Sequence, residues 1–126
     1  MLCLLTLACG YTPAMANSKY AAIVVDQNTG RVLYARSADA KRHPASLTKI
    51  MTLYMLFEQL EKGAVKLDTP LKVSAYAAGK PPSKIGFKPG QTIQVEHAIQ
   101  VLVTKSANDV AAVVAENLAG SEAAFA

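Results

Sequence analysis

The sequence predicts a mixed α/β domain of the α+β type, with an amino-terminal β-hairpin followed by a helical region. Three observations indicate this fold class. Two β-branched or aromatic runs, 20–26 and 31–37, flank a turn-forming segment; a long apolar helical pattern covers 44–63; and two more helical patterns follow late in the chain. The length of 126 residues suits one domain, since domains typically have roughly 100 to 200 residues.

Composition indicates a packed core and disfavours one class of partner. Apolar residues make up 52% of the chain, and the net charge is only +4. Such a chain can bury enough apolar surface to fold. The basic residues are spread along the sequence without a block, and there is no tryptophan. Nucleic-acid binding is therefore not expected.

Residues 1–16 resemble a secretory leader. The apolar run 2–8 is far too short to span a bilayer, and Ala14-Met15-Ala16 has the small-residue pattern of a cleavage site. We predict a signal peptide of residues 1–16, a mature chain of 17–126 and export. The basic residues expected at the start of a leader are lacking, so we expect the start of this sequence to be truncated or misassigned. Cys9 leaves a lipoprotein as the alternative, although Thr6-Leu7-Ala8 is a poor lead-in. With Cys3 and Cys9 removed, no thiolate metal site remains.

The first mature elements form a predicted hairpin. The runs Tyr20–Asp26 and Arg31–Ser37 flank Gln27-Asn28-Thr29-Gly30, whose residue types favour a short turn. A polar connector, 39–43, follows. Its His43 is a candidate base, but no acid partner accompanies it in a motif, so a solvated histidine is the favoured interpretation.

The stretch 44–63 predicts the helix around which the core forms. Pro44 suits a first helical position, and Gly63 suits the residue after the last turn. Past Lys49 almost no polar stripe remains, so we expect burial on nearly all sides. The apolar residues of this helix are Ile50, Met51, Leu53, Tyr54, Met55, Leu56, Phe57 and Leu60.

Ser46 and Lys49 stand out at the start of this helix. They are three residues apart, so they share one face of the first turn. A capped helix is the simple interpretation, because serine favours helix starts. However, a capping box has Glu or Gln where this chain has Lys49, whose charge is unfavourable near a helix amino terminus. A broken local rule is typical of a functional site. About 0.6 chance matches to S-x-x-K are expected, so a second motif is needed.

The middle of the chain predicts little regular structure. Residues 65–73 indicate a turn and a short edge strand, and 91–94 indicate another short strand. Between them, 74–90 is rich in proline and glycine and is expected to be irregular and exposed.

Two helical patterns close the sequence, at 95–104 and at 110–118, with Gly120 as the stop of the second. Between them lies Lys105-Ser106-Ala107-Asn108. The alternative to a functional role is that Ser106 or Asn108 simply caps the helix that follows. Two motifs, each beside an apolar helix, favour function.

Together, Ser46-Leu47-Thr48-Lys49 and Ser106-Ala107-Asn108 resemble the serine D-alanyl-D-alanine carboxypeptidases, the low-molecular-mass penicillin-binding proteins. Further likeness lies in the stretches PASLTKIMT, SKIGFKPG, KSANDV and AGSE, so the resemblance covers about residues 20–126. It implies the penicillin-binding/β-lactamase-like transpeptidase fold.

The family's third motif, K-T-G, does not occur in this sequence. In the family it lies on one of the later strands that close the fold beside the hairpin and helps to form the oxyanion hole. We therefore expect residues 17–126 to be the amino-terminal part of a longer catalytic domain with its closing strands missing. We expect this segment alone to be inactive.

The resemblance implies a mechanism without metal or cofactor. Ser46 would be the nucleophile that takes the acyl group of the penultimate D-alanine, and water would hydrolyse the acyl-enzyme. Lys49 would be the general base, which requires a neutral amine; apolar surroundings and a nearby cation both favour that state. Ser106 would relay a proton to the leaving amine, and the Asn108 amide would hold the substrate backbone.

The implied substrate is the peptidoglycan stem peptide, with β-lactam antibiotics as inhibitors. The implied location is the periplasm or the outer face of the bacterial inner membrane, with membrane association through a carboxy-terminal region. A serine β-lactamase of the same fold and a non-catalytic peptidoglycan-binding module are the alternatives. A plain helical adaptor would leave Lys49 unexplained. The sequence does not separate carboxypeptidase from endopeptidase preference.

Overall fold

A computed structural model describes residues 19–126, so the predicted signal peptide and both cysteines lie outside the described residues. The chain divides between His43 and Pro44 into two compact units, which are described separately. In the described part of the chain, no helix has the length and apolar character needed to cross a membrane.

The first unit contains the predicted hairpin. Strands β1 (Ala22–Val25) and β2 (Val32–Arg36) pair antiparallel, with a register irregularity between Val24 and Val25. Asp26 closes the turn by accepting hydrogen bonds from the backbone N–H of Thr29 at 2.8 Å and from its hydroxyl at 2.6 Å. The hydroxyl bond is the main cause that holds the pKa of Asp26 below its usual value. The predicted hairpin is confirmed.

The second unit is mainly helical. A 3₁₀ turn at Ala45–Leu47 leads directly into helix α1 (Thr48–Glu61). Strands β3 (Pro70–Lys72) and β4 (Thr92–Gln94) pair antiparallel, with Leu71 opposite Ile93, as a two-stranded ribbon. In chain order the elements after the 3₁₀ turn are α1 (Thr48–Glu61), β3 (Pro70–Lys72), α2 (Ala75–Ala78), β4 (Thr92–Gln94), α3 (Val95–Lys105), α4 (Asn108–Ala119) and α5 (Glu122–Phe125).

Helix α4 lies at the centre of this unit and contacts α1, α2, α3, α5 and β3. Its small apolar side chains let these neighbours approach closely, which is how interiors reach high packing density. Its buried residues are Asp109, Val110, Ala112, Val113, Val114 and Ala115. The prediction that the first helix would be the buried centre is therefore wrong.

Helix α1 buries one face only. Thr52 and Leu56 are its buried residues. Tyr54 and Phe57 remain 59% and 49% exposed, and Ile50 and Met51 lie on the same exposed face. The apolar pattern predicted a helix correctly, but it does not specify which apolar surface a neighbour covers. The predicted start is also wrong, because Pro44 precedes the 3₁₀ turn and α1 begins at Thr48.

The stretch 74–90 is mostly irregular, as predicted, but it contains α2. The hydroxyl of Ser74 caps this helix by accepting from the backbone N–H of Ala77 at 2.9 Å, and Ala77 is fully buried. Four residues are too few to show a helical period. Helices α3 and α4 match the two predicted helices within two residues, and Gly120 ends α4 in the left-handed conformation with φ +82°. Helix α5 was not predicted.

Candidate active site

Ser46 lies in the 3₁₀ turn that precedes α1 and is exposed. The residue before it, Ala45, has φ +51°, a left-handed conformation that costs a non-glycine residue roughly 1 to 2 kcal/mol. Such strain persists where the surroundings impose it, often at functional sites. Among residues 19–126, no protein group hydrogen-bonds the Ser46 hydroxyl, which leaves it accessible to a substrate.

Lys49 lies in the first turn of α1, half-buried, and contacts the second motif. Its Nζ atom donates a hydrogen bond to Oδ1 of Asn108 at 2.7 Å. The two residues are 59 positions apart. The structure thus joins the two predicted motif segments through a direct side-chain contact.

The Asn108 amide is fixed on both sides. Its Nδ2 atom donates to the carbonyl oxygens of Pro81 at 3.0 Å and Pro82 at 3.1 Å, while Oδ1 accepts from Lys49. Rotating the amide by 180° would oppose donor to donor and acceptor to acceptor. The hydrogen-bond network therefore determines the orientation of this side chain.

Ser106 ends α3 in a left-handed conformation, with φ +54° and ψ +40°. Its backbone N–H donates to the Leu102 carbonyl at 3.2 Å. The residue at the amino-terminal cap of α4 is Ala107, and no side chain caps that helix. The alternative that Ser106 or Asn108 caps the following helix, α4, is therefore wrong, and Ser106 is instead the carboxy-terminal cap of α3. Within the described chain the Ser106 hydroxyl, like that of Ser46, makes no hydrogen bond to protein.

A cleft of about 540 Å³ adjoins the two motifs. Ala45 and Lys49 line it together with Asn108, and Ala111 and Phe125 contribute apolar surface. It combines an apolar lining with a few polar groups, as is usual for binding clefts.

Two further charged residues, Lys80 and Glu122, line the cleft and form an ion pair at 2.7 Å. The Tyr76 hydroxyl donates to Glu122 at 2.6 Å, and Lys80 lies 4.1 Å from the centre of the Tyr76 ring.

Burial acts to raise the pKa of Glu122, but hydrogen bonds from Lys80 and Tyr76 outweigh it, so the pKa lies below its usual value. Burial likewise acts to lower the pKa of Lys80, and its bonds to Glu122 and Tyr76 raise it overall. No motif in the sequence signals this trio, because Glu122 is 42 positions from Lys80.

Sequence reasoning also missed Asp109, whose carboxylate is completely buried beside Asn108. It accepts backbone hydrogen bonds from Ile85 and Gly86, and from Val110. A charged residue inside the apolar pattern of α4 was the available signal. No cluster of three or more potential metal ligands occurs among the described residues.

Comparison with known proteins gives the family. Residues 11–126 match the peptidase S11 family, described as D-alanyl-D-alanine carboxypeptidase. The chain belongs to this family. The resemblance drawn from the two motifs is thereby confirmed.

This peptidase S11 chain is similar to D-alanyl-D-alanine carboxypeptidase DacF of Bacillus subtilis, with 33% identity over 114 residues, 90% of the chain and 29% of the relative. It is similar in structure to the D-alanyl-D-alanine carboxypeptidase DacD of Francisella tularensis, with a TM-score of 0.77 and 32% identity over 90% of the chain and 28% of that protein. The match to penicillin-binding protein 5 of Haemophilus influenzae has a TM-score of 0.72 and 26% identity over 89% and 33% of the two chains.

These matches confirm the predicted penicillin-binding/β-lactamase-like fold. A β-lactamase of Burkholderia vietnamiensis also shares it, with a TM-score of 0.63 at 18% identity over 83% of the chain and 39% of that protein, a likeness of fold alone. The peptidase S11 chain spans 29% of the length of DacF.

Proposed function

We propose that the whole protein containing this chain is a serine D-alanyl-D-alanine carboxypeptidase and that residues 17–126 are the amino-terminal part of its catalytic domain. Its substrate is the D-Ala-D-Ala end of peptidoglycan stem peptides. The observation that carries the proposal is the 2.7 Å contact between Lys49 and Asn108, which unites the S-x-x-K and S-x-N segments at one cleft. Family membership supports the reaction class.

In the proposed acylation step, Oγ of Ser46 bonds to the carbonyl carbon of the penultimate D-alanine. The Ser46 proton passes to the neutral amine of Lys49. A neutral amine keeps two N–H donors and one lone pair. It can therefore maintain the bond to Asn108 while its lone pair accepts the serine proton.

Collapse of the tetrahedral intermediate breaks the peptide C–N bond and leaves an ester on Ser46. Ser106 passes its proton to the departing amine of the terminal D-alanine and receives in its place the proton that Lys49 had taken, so Lys49 is neutral again. Lys49 then takes a proton from a water molecule that attacks the ester carbon; the ester C–O bond breaks, the shortened peptide leaves as its carboxylic acid, and Oγ of Ser46 regains the proton from Lys49. The accessible hydroxyls of Ser46 and Ser106 support these roles.

Asn108 has a double role in this proposal. Both hydrogens of its Nδ2 atom are engaged by the Pro81 and Pro82 carbonyls, so its amide first of all orients Lys49. Its Oδ1 atom has a second lone pair, which can accept a backbone N–H from the substrate.

Fluorescent penicillin tests the reaction class in the full-length gene product. We expect one covalent label, located at Ser46 by mass spectrometry, together with release of D-alanine from a D-Ala-D-Ala pentapeptide. The Ser46→Ala variant controls for non-specific labelling and should lose both signals. Rapid turnover of penicillin without D-alanine release would identify a β-lactamase instead. Binding of peptidoglycan without any label would identify a non-catalytic module.

We further propose that the protein is exported to the periplasm or the outer face of the inner membrane, with association through a region carboxy-terminal to this chain. The leader-like residues 1–16 support export. Mass spectrometry of exported protein should find Asn17 at the mature amino terminus. Recovery of the intact leader in the cytoplasm would contradict export, and complete release of the protein by osmotic shock would contradict membrane association.

A further inference from the structure

We infer that Asp109 is a positioning residue for catalysis, which fixes the 81–86 loop and, through this loop, the Asn108 amide and Lys49. The inference rests on the proposed function, because it assigns Asp109 an effect on acylation. It concerns a carboxylate that makes no direct contact with Lys49 in the described structure.

The first step is the environment of the carboxylate. Asp109 is 0% exposed, and in residues 19–126 it takes part in no salt bridge. Its partners are backbone N–H groups: Ile85 at 3.0 and 3.1 Å, Gly86 at 2.9 Å and Val110 at 2.9 Å. A buried carboxylate without donors is costly, so the bonds to the loop satisfy a strong requirement.

The second step is that the neighbouring residue holds the other end of the same loop. The backbone N–H of Asn108 donates to the Ser83 carbonyl at 2.7 Å, and its side chain donates to the Pro81 and Pro82 carbonyls. The Ser83 hydroxyl donates back to the Lys105 carbonyl at 3.0 Å. Two adjacent residues of α4 therefore fasten both ends of a six-residue loop.

The third step links the loop to the chemistry. The Pro81 and Pro82 carbonyls are what keep Oδ1 of Asn108 turned towards Lys49. If the loop shifts, the amide can rotate and break the 2.7 Å bond to Nζ. Misplacing a catalytic group by about 1 Å can cost on the order of 100-fold in rate.

Gly86 and Gly90 provide a matched pair of test positions. Gly86 has φ +89° and Gly90 has φ +86°, and a Cβ atom at either position would meet nothing within 4 Å. Alanine should therefore impose a similar backbone strain at both. Of these two glycines, only Gly86 donates its N–H to Asp109, whereas the N–H of Gly90 donates to the Val73 carbonyl.

The experiment compares Gly86→Ala with Gly90→Ala in the full-length gene product. The measurements are the acylation rate constant at saturating fluorescent penicillin, the thermal midpoint, and amide hydrogen exchange of residues 81–86. We expect similar losses of thermal midpoint in both variants. We expect Gly86→Ala alone to acylate roughly 10- to 100-fold more slowly, with faster exchange in the loop. Equal acylation rates in the two variants would overturn the inference.

Asp109→Asn provides a second test, because it replaces one of the two acceptor oxygens by an NH2 group, which opposes the N–H donors of the loop. A folded Asp109→Asn protein should show the same slower acylation and faster loop exchange. Normal acylation in that protein would overturn the inference, and if it fails to fold, the glycine pair decides. Absence of acylation in the unaltered full-length protein would defeat the proposed function together with the positioning role of Asp109. Amide hydrogen exchange of residues 81–86 would still report whether Asp109 holds this loop in place.

Discussion

Nζ of Lys49 and Oδ1 of Asn108 lie 2.7 Å apart, and this contact joins two sequence segments that meet only in the folded chain. Each partner is further constrained. Lys49 is fixed to the first turn of α1, and the Asn108 amide is fixed by two proline carbonyls. The position of the candidate base is therefore set by a residue of the second motif.

Replacing Lys49 with arginine tests whether it is the base. Arginine keeps the positive charge but does not deprotonate in proteins, so Lys49→Arg should abolish acylation by penicillin in the full-length gene product. Ser46→Ala should be equally inactive. If the two residues act as a unit, the double variant should be no worse than either single one. Acylation of a folded Lys49→Arg protein at near the parent rate would place the base elsewhere.

Replacing Asn108 with aspartate tests the contact itself. The new carboxylate beside Lys49 favours the charged ammonium form of this lysine. It also lacks the two N–H groups that Asn108 donates to the carbonyls of Pro81 and Pro82. We expect Asn108→Asp to slow acylation by at least about tenfold, since displacement of a catalytic group is costly. Asn117→Asp, in the same helix but bonded to the backbone of Lys72, is the control and should acylate normally. Equal acylation rates in the two variants would argue against a role of the Lys49–Asn108 contact in acylation.

Ser106 allows the role of a hydroxyl to be separated from backbone strain. Its φ of +54° favours glycine, so Ser106→Gly should be at least as stable as Ser106→Ala in thermal unfolding. If the hydroxyl relays a proton, both variants should release D-alanine at similarly reduced rates, by roughly 100-fold or more. Full activity in Ser106→Gly would exclude the relay and leave a conformational role.

The ion pair of Lys80 and Glu122 predicts a loss of stability in acid. The pKa of Glu122 lies below its ordinary value of 4.5 in the folded state, so its contribution is present above about that pH and disappears as the pH falls through the folded value. The pKa of Lys80 is raised, so its contribution is lost only as the pH rises above its ordinary value of 10.5.

The acid effect is measured by comparing the thermal midpoints of the parent and of Glu122→Gln from pH 3 to 7, a range of about four units. Glu122→Gln should have a lower thermal midpoint than the parent at neutral pH. Its thermal midpoint should also fall less steeply as the pH is lowered. Glu58→Gln is the control: its pair with Lys62 is an exposed i,i+4 contact at 3.2 Å, a type worth about 0.3 to 0.5 kcal/mol. An equal fall of the thermal midpoint with decreasing pH in the parent and in Glu122→Gln would contradict the prediction.

The exposed apolar face of α1 predicts dye binding. Ile50, Met51, Tyr54 and Phe57 are each about half exposed or more and lie on one helix face. Contiguous apolar surface of this kind binds hydrophobic probes. The chain expressed by itself should therefore enhance the fluorescence of such a dye, and Ile50→Lys should reduce the signal. Thr104→Lys, at an exposed position of α3, is the control. Absence of dye binding would show that this face is covered in solution.

The sequence by itself determined the hairpin, three of the helices and the two motifs, because each depends on local patterns. Alternating β-branched residues around a turn, helical spacing of apolar residues and a lysine at an unfavourable helix position can all be identified within about twenty residues. The roles of Ser46, Lys49, Ser106 and Asn108 followed from resemblance and remain predictions, although the structure brings Lys49 and Asn108 into contact.

Only the tertiary structure decided which helix is central and what holds the site. Helix α4 occupies the core because its alanine and valine side chains admit neighbours closely, while α1, whose apolar side chains are larger, is covered on one face. The fastening of the 81–86 loop by Asp109 and the pairing of Lys80 with Glu122 join residues more than 20 positions apart. Such contacts depend on chain geometry and on the need to satisfy buried charge, and no local period in the sequence encodes them.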